Sequence, residues 1–312
     1  MRLWQLLAAA TLLAQPLGAA GTTGADILNA RTSARAAALG EAYSALGYDV
    51  TALGYQPASV ASLKSSSISF LHYSEVESVN IEDLAYAQPF DFGVLDGTVV
   101  YRGQPTINNT FATDAPVNAY DVVVGIGWAG RASSYLDFLP SSLQEADAGV
   151  SLKYVDSQLG AFNAWTVAAD LGLRMPIGEG LIGSVSLLNL GPGMKFIAVT
   201  DPLPSTLVGG ISRSFDPIFS NQFNLAVDME YPFQSELRMH VGLEDWLGKS
   251  LAIRSGYILD SQQSLNGFTF GLGVKLDQEG LLFALDYAMR PLYYNGFSSY
   301  DNQQLFQMTL TF

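Results

Sequence analysis

His72, His240, a set of charged residues spaced two apart and one glycine-rich run are where this 312-residue chain could do chemistry. His240 shares a face of an alternating segment with Glu236, Arg238 and Glu244. It therefore reads as one member of a hydrogen-bond network rather than as a catalytic or proton-linked group. With two His, no Cys and no His-Glu-x-x-His spacing, no zinc site is expected. The stretch GIGWAG (125–130) has the spacing of a dinucleotide loop, but such a loop must join a strand to a helix. Here it closes a strand and runs into a loop, so its glycines are expected to face a crowded interior. A net charge of −14 leaves nothing to neutralise phosphates, which argues against nucleic acid. No nucleophile, base and orienting group stand out together, so neither an enzyme nor a cofactor is expected.

The elements that carry these residues follow from composition. Hydrophobic residues make up 49% of the chain and charged residues 14%, against about 25% charged in soluble proteins. Lipid can solvate such a surface. After the first 20 residues, however, no apolar run approaches the ~20 residues of a spanning helix. A closed β-barrel is the other structure that satisfies its backbone in a bilayer. Residues 1–20 read as a signal peptide: Arg2, an apolar core from Leu6 to Leu13, and the small residues Gly18-Ala19-Ala20. Residues 21–64 form a second unit, in which ARAAALGEAYSALG (34–47) predicts a helix and 48–63 a second, shorter helical pattern. Residues 65–312 read as the barrel, with about fourteen strands of transmembrane length. They lie near 65–73, 79–88, 92–101, 119–129, 146–155, 163–174, 181–189, 205–214, 221–230, 236–245, 249–258, 266–276, 281–290 and 303–312.

The connections alternate in length. Turns at 175–180, 214–220, 246–249 and 277–280 fall on one side, expected to be periplasmic. The longer loops 102–118, 190–204 and 291–302 fall on the other, and the long connection 130–145 breaks the rule. Trp128 and Trp246 are expected in the periplasmic aromatic girdle, with Trp165, Tyr101 and Tyr257 in the external one. A charge facing lipid at mid-bilayer costs about 2–4 kcal/mol, so alternation should turn charges inward. The expected lumenal network is Lys153, Asp170, Arg174, Asp228, Glu230, Glu236, Arg238, His240, Glu244, Arg254, Lys275, Asp286 and Arg290. Tyr293, Tyr294, Phe297 and Tyr300 form an aromatic cluster, either an interfacial anchor or a patch that grips a protein or hydrophobic solute. Met308, Leu310 and the terminal Phe312 share the lipid face, and such an end resembles the signal read by the barrel-insertion machinery.

Several blocks together resemble the PorV/PorQ family of outer-membrane proteins, relatives of the FadL-type fatty-acid channels. They are ARAAALGEAYSALGYDVTALGYQPASVA (34–61), GVSLKYVDSQLG (149–160), AADLGL (168–173), SVSLLNLGPGMKF (184–196), LPSTLVGGIS (203–212), LAIRSGY (251–257) and FGLGV (270–274). The resemblance implies that residues 21–64 form a hatch inside the barrel, with Arg35, Gly40, Tyr43, Asp49, Gln56, Pro57 and Ala58 at its matching positions. The family's Asn-Pro-Ala triplet stands here as Gln56-Pro57-Ala58. It further implies an outer-membrane location with both mature ends in the periplasm. The implied role is in type IX-like protein secretion, with secretion-system components or secreted proteins as partners. A FadL-like channel for fatty acids or other hydrophobic compounds, and a structural barrel that docks envelope partners, are the alternatives.

Overall fold

The computed structural model describes residues 23–30, 32–75, 79–103, 118–135, 140, 143–215, 217, 220–260, 266–292 and 301–312. The expected signal peptide and the Tyr293–Tyr300 cluster lie outside the described residues. The strands are β1 (Ser67–Ser74), β2 (Asn80–Phe90), β3 (Gly93–Gly103), β4 (Ala119–Arg131), β5 (Asp147–Leu159), β6 (Phe162–Gly178) and β7 (Leu181–Leu190). After them come β8 (Met194–Lys195), β9 (Thr200–Asp201), β10 (Thr206–Ser214), β11 (Gln222–Pro232), β12 (Arg238–Leu247), β13 (Leu251–Asp260), β14 (Gly267–Gln278), β15 (Leu281–Leu292) and β16 (Asp301–Thr311).

Fourteen of these strands form one closed antiparallel barrel in chain order, while β8 and β9 make a small separate hairpin between β7 and β10. The barrel closes where β1 meets β16, from Ser67 opposite Thr311 to Tyr73 opposite Leu305. All fourteen segments read from alternation are present. The hairpin β8–β9 is additional, and strands of two residues are too short to alternate visibly. No helix among the described residues is long and apolar enough to cross a membrane.

Alternation sorts each strand into two faces. In β14, Thr269, Gly271 and Gly273 point inward, while Phe268, Phe270, Leu272 and Val274 point outward and are exposed. The same outward belt carries Leu84, Val99, Ile126, Leu152, Leu243, Leu285 and Met308. A closed wall with an apolar outer belt is the form a lipid bilayer requires. Phe312 ends the chain at the rim where β1 begins, its N–H donating to the Ser66 carbonyl at 2.9 Å. That rim, called the C-terminal rim below, carries the tight turns at 179–180, 248–250 and 279–280. At 279–280, Glu279 (φ 56°) and Gly280 (φ 90°) supply the left-handed pair that matches the twist of a two-residue hairpin.

The segment before β1 threads the lumen. At the rim opposite Phe312 the Gly24 N–H donates to the Pro202 carbonyl (2.9 Å), and Asp26 pairs with Arg102 (2.9 Å). The chain descends from there and leaves at the C-terminal rim, where Val60 and Leu63 pack on Ala87, Val94 and Ala129. The two ends of the described chain thus sit at opposite rims. A lumen wide enough for a plug lets the chain start at one rim and enter β1 from the other.

The helix of this plug is short. It spans Ala34–Ala38, with the Ser33 hydroxyl capping its start by accepting from the Ala36 N–H (3.2 Å). The expected continuation to residue 47 is lost because Gly40 (φ 64°) and Glu41 (φ 71°) take left-handed conformations that turn the chain away. Two 3-10 turns follow, Val50–Ala52 capped by Asp49 and Pro57–Val60 capped by Gln56.

Candidate functional site

The site is the contact between plug and wall, and glycines set its closeness. Gly256 sits against Gly40, where a Cβ would strike the Gly40 nitrogen and the Leu39 carbonyl carbon. On the other side of the lumen Gly149 receives the backbone of Pro57 and Ala58 in the same way. Backbone therefore meets backbone without intervening side chains, and Arg35, Glu244, Arg254 and Asp228 around these contacts are buried.

Arg35, in the short helix, is the centre of the first cluster. Its guanidinium donates twice to Glu244, at 2.8 and 2.7 Å, and pairs with Asp49 at 3.1 Å. Glu244 also accepts from Arg254 (2.7 Å) and from the Asn224 amide (3.1 Å), and Arg254 goes on to Asp286 (2.6 Å). Glu244 and Arg254 are fully buried. Tyr43 lies beside them, its hydroxyl 3.0 Å from that of Thr51 and its ring under Arg35. Burial opposes the charge on Arg35, but the adjacent Glu244, then Tyr43 and Asp49, hold its pKa above the ordinary value. Burial pushes the Tyr43 phenol up as well, so it stays neutral.

A second group surrounds the turn at Gly40 and Glu41. His240 Nδ1 lies 2.7 Å from the Gly40 carbonyl, and its Nε2 lies 3.2 Å from Glu230. Glu230 pairs with Arg238 (3.1 Å), which reaches Asp260 at 3.7 Å. Glu41 takes Arg290 (3.2 Å) and the Tyr55 hydroxyl (2.6 Å). Asp228 accepts the backbone N–H groups of Tyr43 (2.9 Å) and Ser44 (2.8 Å), so this wall carboxylate closes the end of the plug's turn. Ser44 also bonds Ser184 across the lumen at 2.8 Å.

The third contact is the Gln56-Pro57-Ala58 corner. Gln56 Oε1 caps its own turn by accepting from the Ala58 N–H (3.1 Å). Its Nε2 donates to the carbonyls of Leu173 (3.1 Å) and Val185 (3.3 Å). One Gln side chain thus serves both the cap and the wall. Arg174 donates to the Ala45 carbonyl (3.2 Å) and lies over the Tyr48 ring.

Of the expected lumenal residues, Asp228, Glu230, Arg238, His240, Glu244, Arg254, Asp286 and Arg290 thus belong to clusters that grip the plug. Lys153 and Asp170 pair at 2.6 Å on a separate part of the wall. Lys275 stands over the ring of Trp246 (4.3 Å). Glu236 falls outside the network, exposed in the turn before β12. Trp246 is 8% exposed and faces the lumen, not the aromatic girdle. It has the same parity as His240 and Glu244, so that alternation predicts it once carried two residues further.

Trp128 and Trp165 do face outward, Trp128 edge-on to Tyr135 and Trp165 stacked on Tyr154. Residues that sequence reasoning missed include Asp83, Asp96, Arg102, Asp121 and Asp147. Asp83 follows Glu82, so alternation could send only one of the two inward, and the wall sends Glu82 outward to His72 (2.8 Å). GIGWAG lies wholly within β4, with Gly125 and Gly127 inward and a 3-10 turn, not a helix, after it.

Among the described residues, small cavities of about 60 and 50 Å³ lie between plug and wall. Among the described residues no group of three or more His, Cys, Asp or Glu is placed to hold a metal ion. What the arrangement can do is hold or release a plug.

No protein-family model matches the sequence, and no curated protein matches it. Solved structures do. The fold is similar to the toluene transporter TbuX of Ralstonia pickettii, with a TM-score of 0.57 at 10% identity over 88% of this chain and 96% of that one. The toluene transporter TodX of Pseudomonas putida gives a TM-score of 0.57 at 11% identity over 88% and 95%. A FadL homologue of Pseudomonas aeruginosa gives 0.52 at 7% identity over 90% and 98%. At such identities the likeness is one of fold: this chain is a closed fourteen-stranded antiparallel barrel similar in fold to these structures.

Proposed function

We propose that this chain is an outer-membrane channel for small hydrophobic molecules, closed by its own N-terminal plug. One observation carries the reading. The lumen of a FadL-like barrel is filled by residues 23–30 and 32–63, held to the wall through side-chain clusters that can part without breaking the barrel's ladders. The structures of like fold are toluene transporters and a FadL homologue. In this reading residues 1–20 direct export, the C-terminal rim faces the periplasm, Phe312 serves the insertion machinery, and the apolar belt meets lipid.

The closed lumen sets the mechanism. A cavity of about 150 Å³ is known to hold benzene, whereas the two lumenal cavities are about 60 and 50 Å³. A monoaromatic solute therefore passes only when the plug shifts. Labelled toluene should enter cells carrying the barrel faster than cells of a deletion strain, and Arg35→Ala should raise that rate. Equal entry with and without the barrel would end the channel reading.

A second reading is a PorV/PorQ-type role in type IX secretion, with the barrel receiving secreted proteins at the surface. It is favoured by the blocks at 34–61, 149–160 and 184–196 and by a plug held on several sides. Proteins bearing a C-terminal secretion signal should then accumulate in the periplasm of the deletion strain, with toluene entry unchanged.

A further inference from the structure

Several ion pairs hold the plug on the side of β11 to β15, whereas on the side of β2 to β5 the pair between Asp26 and Arg102 holds it at the rim. On that side the cavity of about 60 Å³ lies between Ile27, Val50 and Leu53 of the plug and Asp83, Asp96 and Lys153 of the wall. Lys153 is already engaged, 2.6 Å from Asp170 and 2.9 Å from the Asn189 side-chain oxygen. Asp170 accepts in turn from Ser151 and from the Asn189 N–H.

Asp83 has no such company. It is 4% exposed, and its Oδ1 is buried with no hydrogen-bond partner among the described residues. Its ladder neighbours are Leu71 and Val100, which offer only carbon. A carboxylate buried this way needs a proton or a cation to be stable. Further along the same cavity, glycines of the wall make room for polar side chains. Gly127 stands opposite Asp96 and Gly125 opposite Thr98, and a Cβ on either glycine would strike the group it faces. The GIGWAG run thus preserves polar groups on the lumenal side of the wall.

The chemistry points to an ammonium group rather than a metal ion. Asp83 stands opposite Val100, and Asp96 is four residues further along β3. At ~3.3 Å per residue that is roughly 13 Å between ladder positions, too far for both carboxylates to share one ion. Divalent cations want about six or more oxygen ligands, and the ladder neighbours of Asp83, Leu71 and Val100, supply none from their side chains. A primary ammonium needs few acceptors, and its alkyl tail suits Ile27, Val50 and Leu53. The volume equals about two waters at ~30 Å³ each, which admits an amine of only a few carbons.

We propose that the cavity between the plug and strands β2 to β5 binds a short primary alkylammonium ion, its nitrogen on Asp83 and its alkyl chain against the plug. The site stands independently of the channel reading.

The full-length barrel, purified in detergent, is titrated with ethylammonium chloride and followed by calorimetry and thermal unfolding. Ethanol, sodium chloride and calcium chloride are titrated in parallel. Ethylammonium should bind saturably and raise the Tm as its concentration rises. Ethanol and the two salts should not. Asp83→Asn should weaken binding by about tenfold or more, since it removes a charge-assisted hydrogen bond, while Glu236→Gln in the exposed turn should leave it unchanged. On the unmodified protein, tetramethylammonium should fail to compete, because it is too bulky and has no N–H to donate. The proposal is overturned by undiminished binding in a folded Asp83→Asn barrel, by equal binding of ethanol or tetramethylammonium, by stabilisation from calcium alone, or by no saturable binding of ethylammonium.

Discussion

Glu244 accepts from two arginines at once, Arg35 from the plug and Arg254 from the wall, and all three are buried. Buried ion networks add little net stability when complete, but removing one partner costs about 3–5 kcal/mol because the rest stays buried and unbalanced. Arg35→Ala should therefore loosen the plug by that order while the wall persists. Limited proteolysis should cut within residues 32–63 of the variant and spare the heat-resistant barrel, whereas Asp49→Ala, at a half-exposed partner, should cost only about 1 kcal/mol.

The sequence disclosed half of this pair. Alternation along 236–245 puts Glu244 inside, and the strands after it do the same for Arg254 and Asp286. The partnership with Arg35, 209 residues away, is a matter of three-dimensional packing that no local pattern carries. Asp83 was hidden differently, since two adjacent carboxylates give alternation no ground to choose between them. His72 and Glu82 show that the outer wall tolerates a polar pair whose members bond each other, here at 2.8 Å.

At the level of elements the strands were legible because lipid on one side and packed plug on the other impose a strict period of two. The plug was less so. An Ala-rich run predicts helix over 34–47, yet the wall decides where it stops: Leu39 and Gly40 lie against Gly242 and Gly256, and the chain must turn there. Gly256→Leu should accordingly block docking of the plug while β13 still pairs with its neighbours. Hydrogen exchange should show plug amides losing protection and strand amides keeping it; protected plug amides in a folded variant would contradict the close approach. The hairpin β8–β9 was invisible because its two short strands carry no period. It caps the lumen through Met194, which is fully buried in the cluster that includes Ile27 and Leu203.

At the scale of the molecule, a closed barrel with an apolar belt encloses a polar seam between wall and plug, and low overall charge follows from how much surface is given to lipid. Phe312 extends the closing seam between β1 and β16 by its bond to Ser66. Its removal should lower the fraction of chain that reaches the heat-modifiable barrel form, without altering the properties of barrels that do assemble. The central claim is that solute passes only when the plug moves, and the chain, having no cysteine of its own, permits a clean test. The hydroxyls of Ser44 in the plug and Ser184 in β7 are 2.8 Å apart, so Ser44→Cys with Ser184→Cys places two thiols within bonding reach. In cells expressing this variant, toluene entry is measured with the pair oxidised and again after reduction. Oxidation should reduce entry to the rate of cells without the barrel and reductant should restore it; a fully cross-linked barrel that admits toluene as fast as the reduced one would contradict the account.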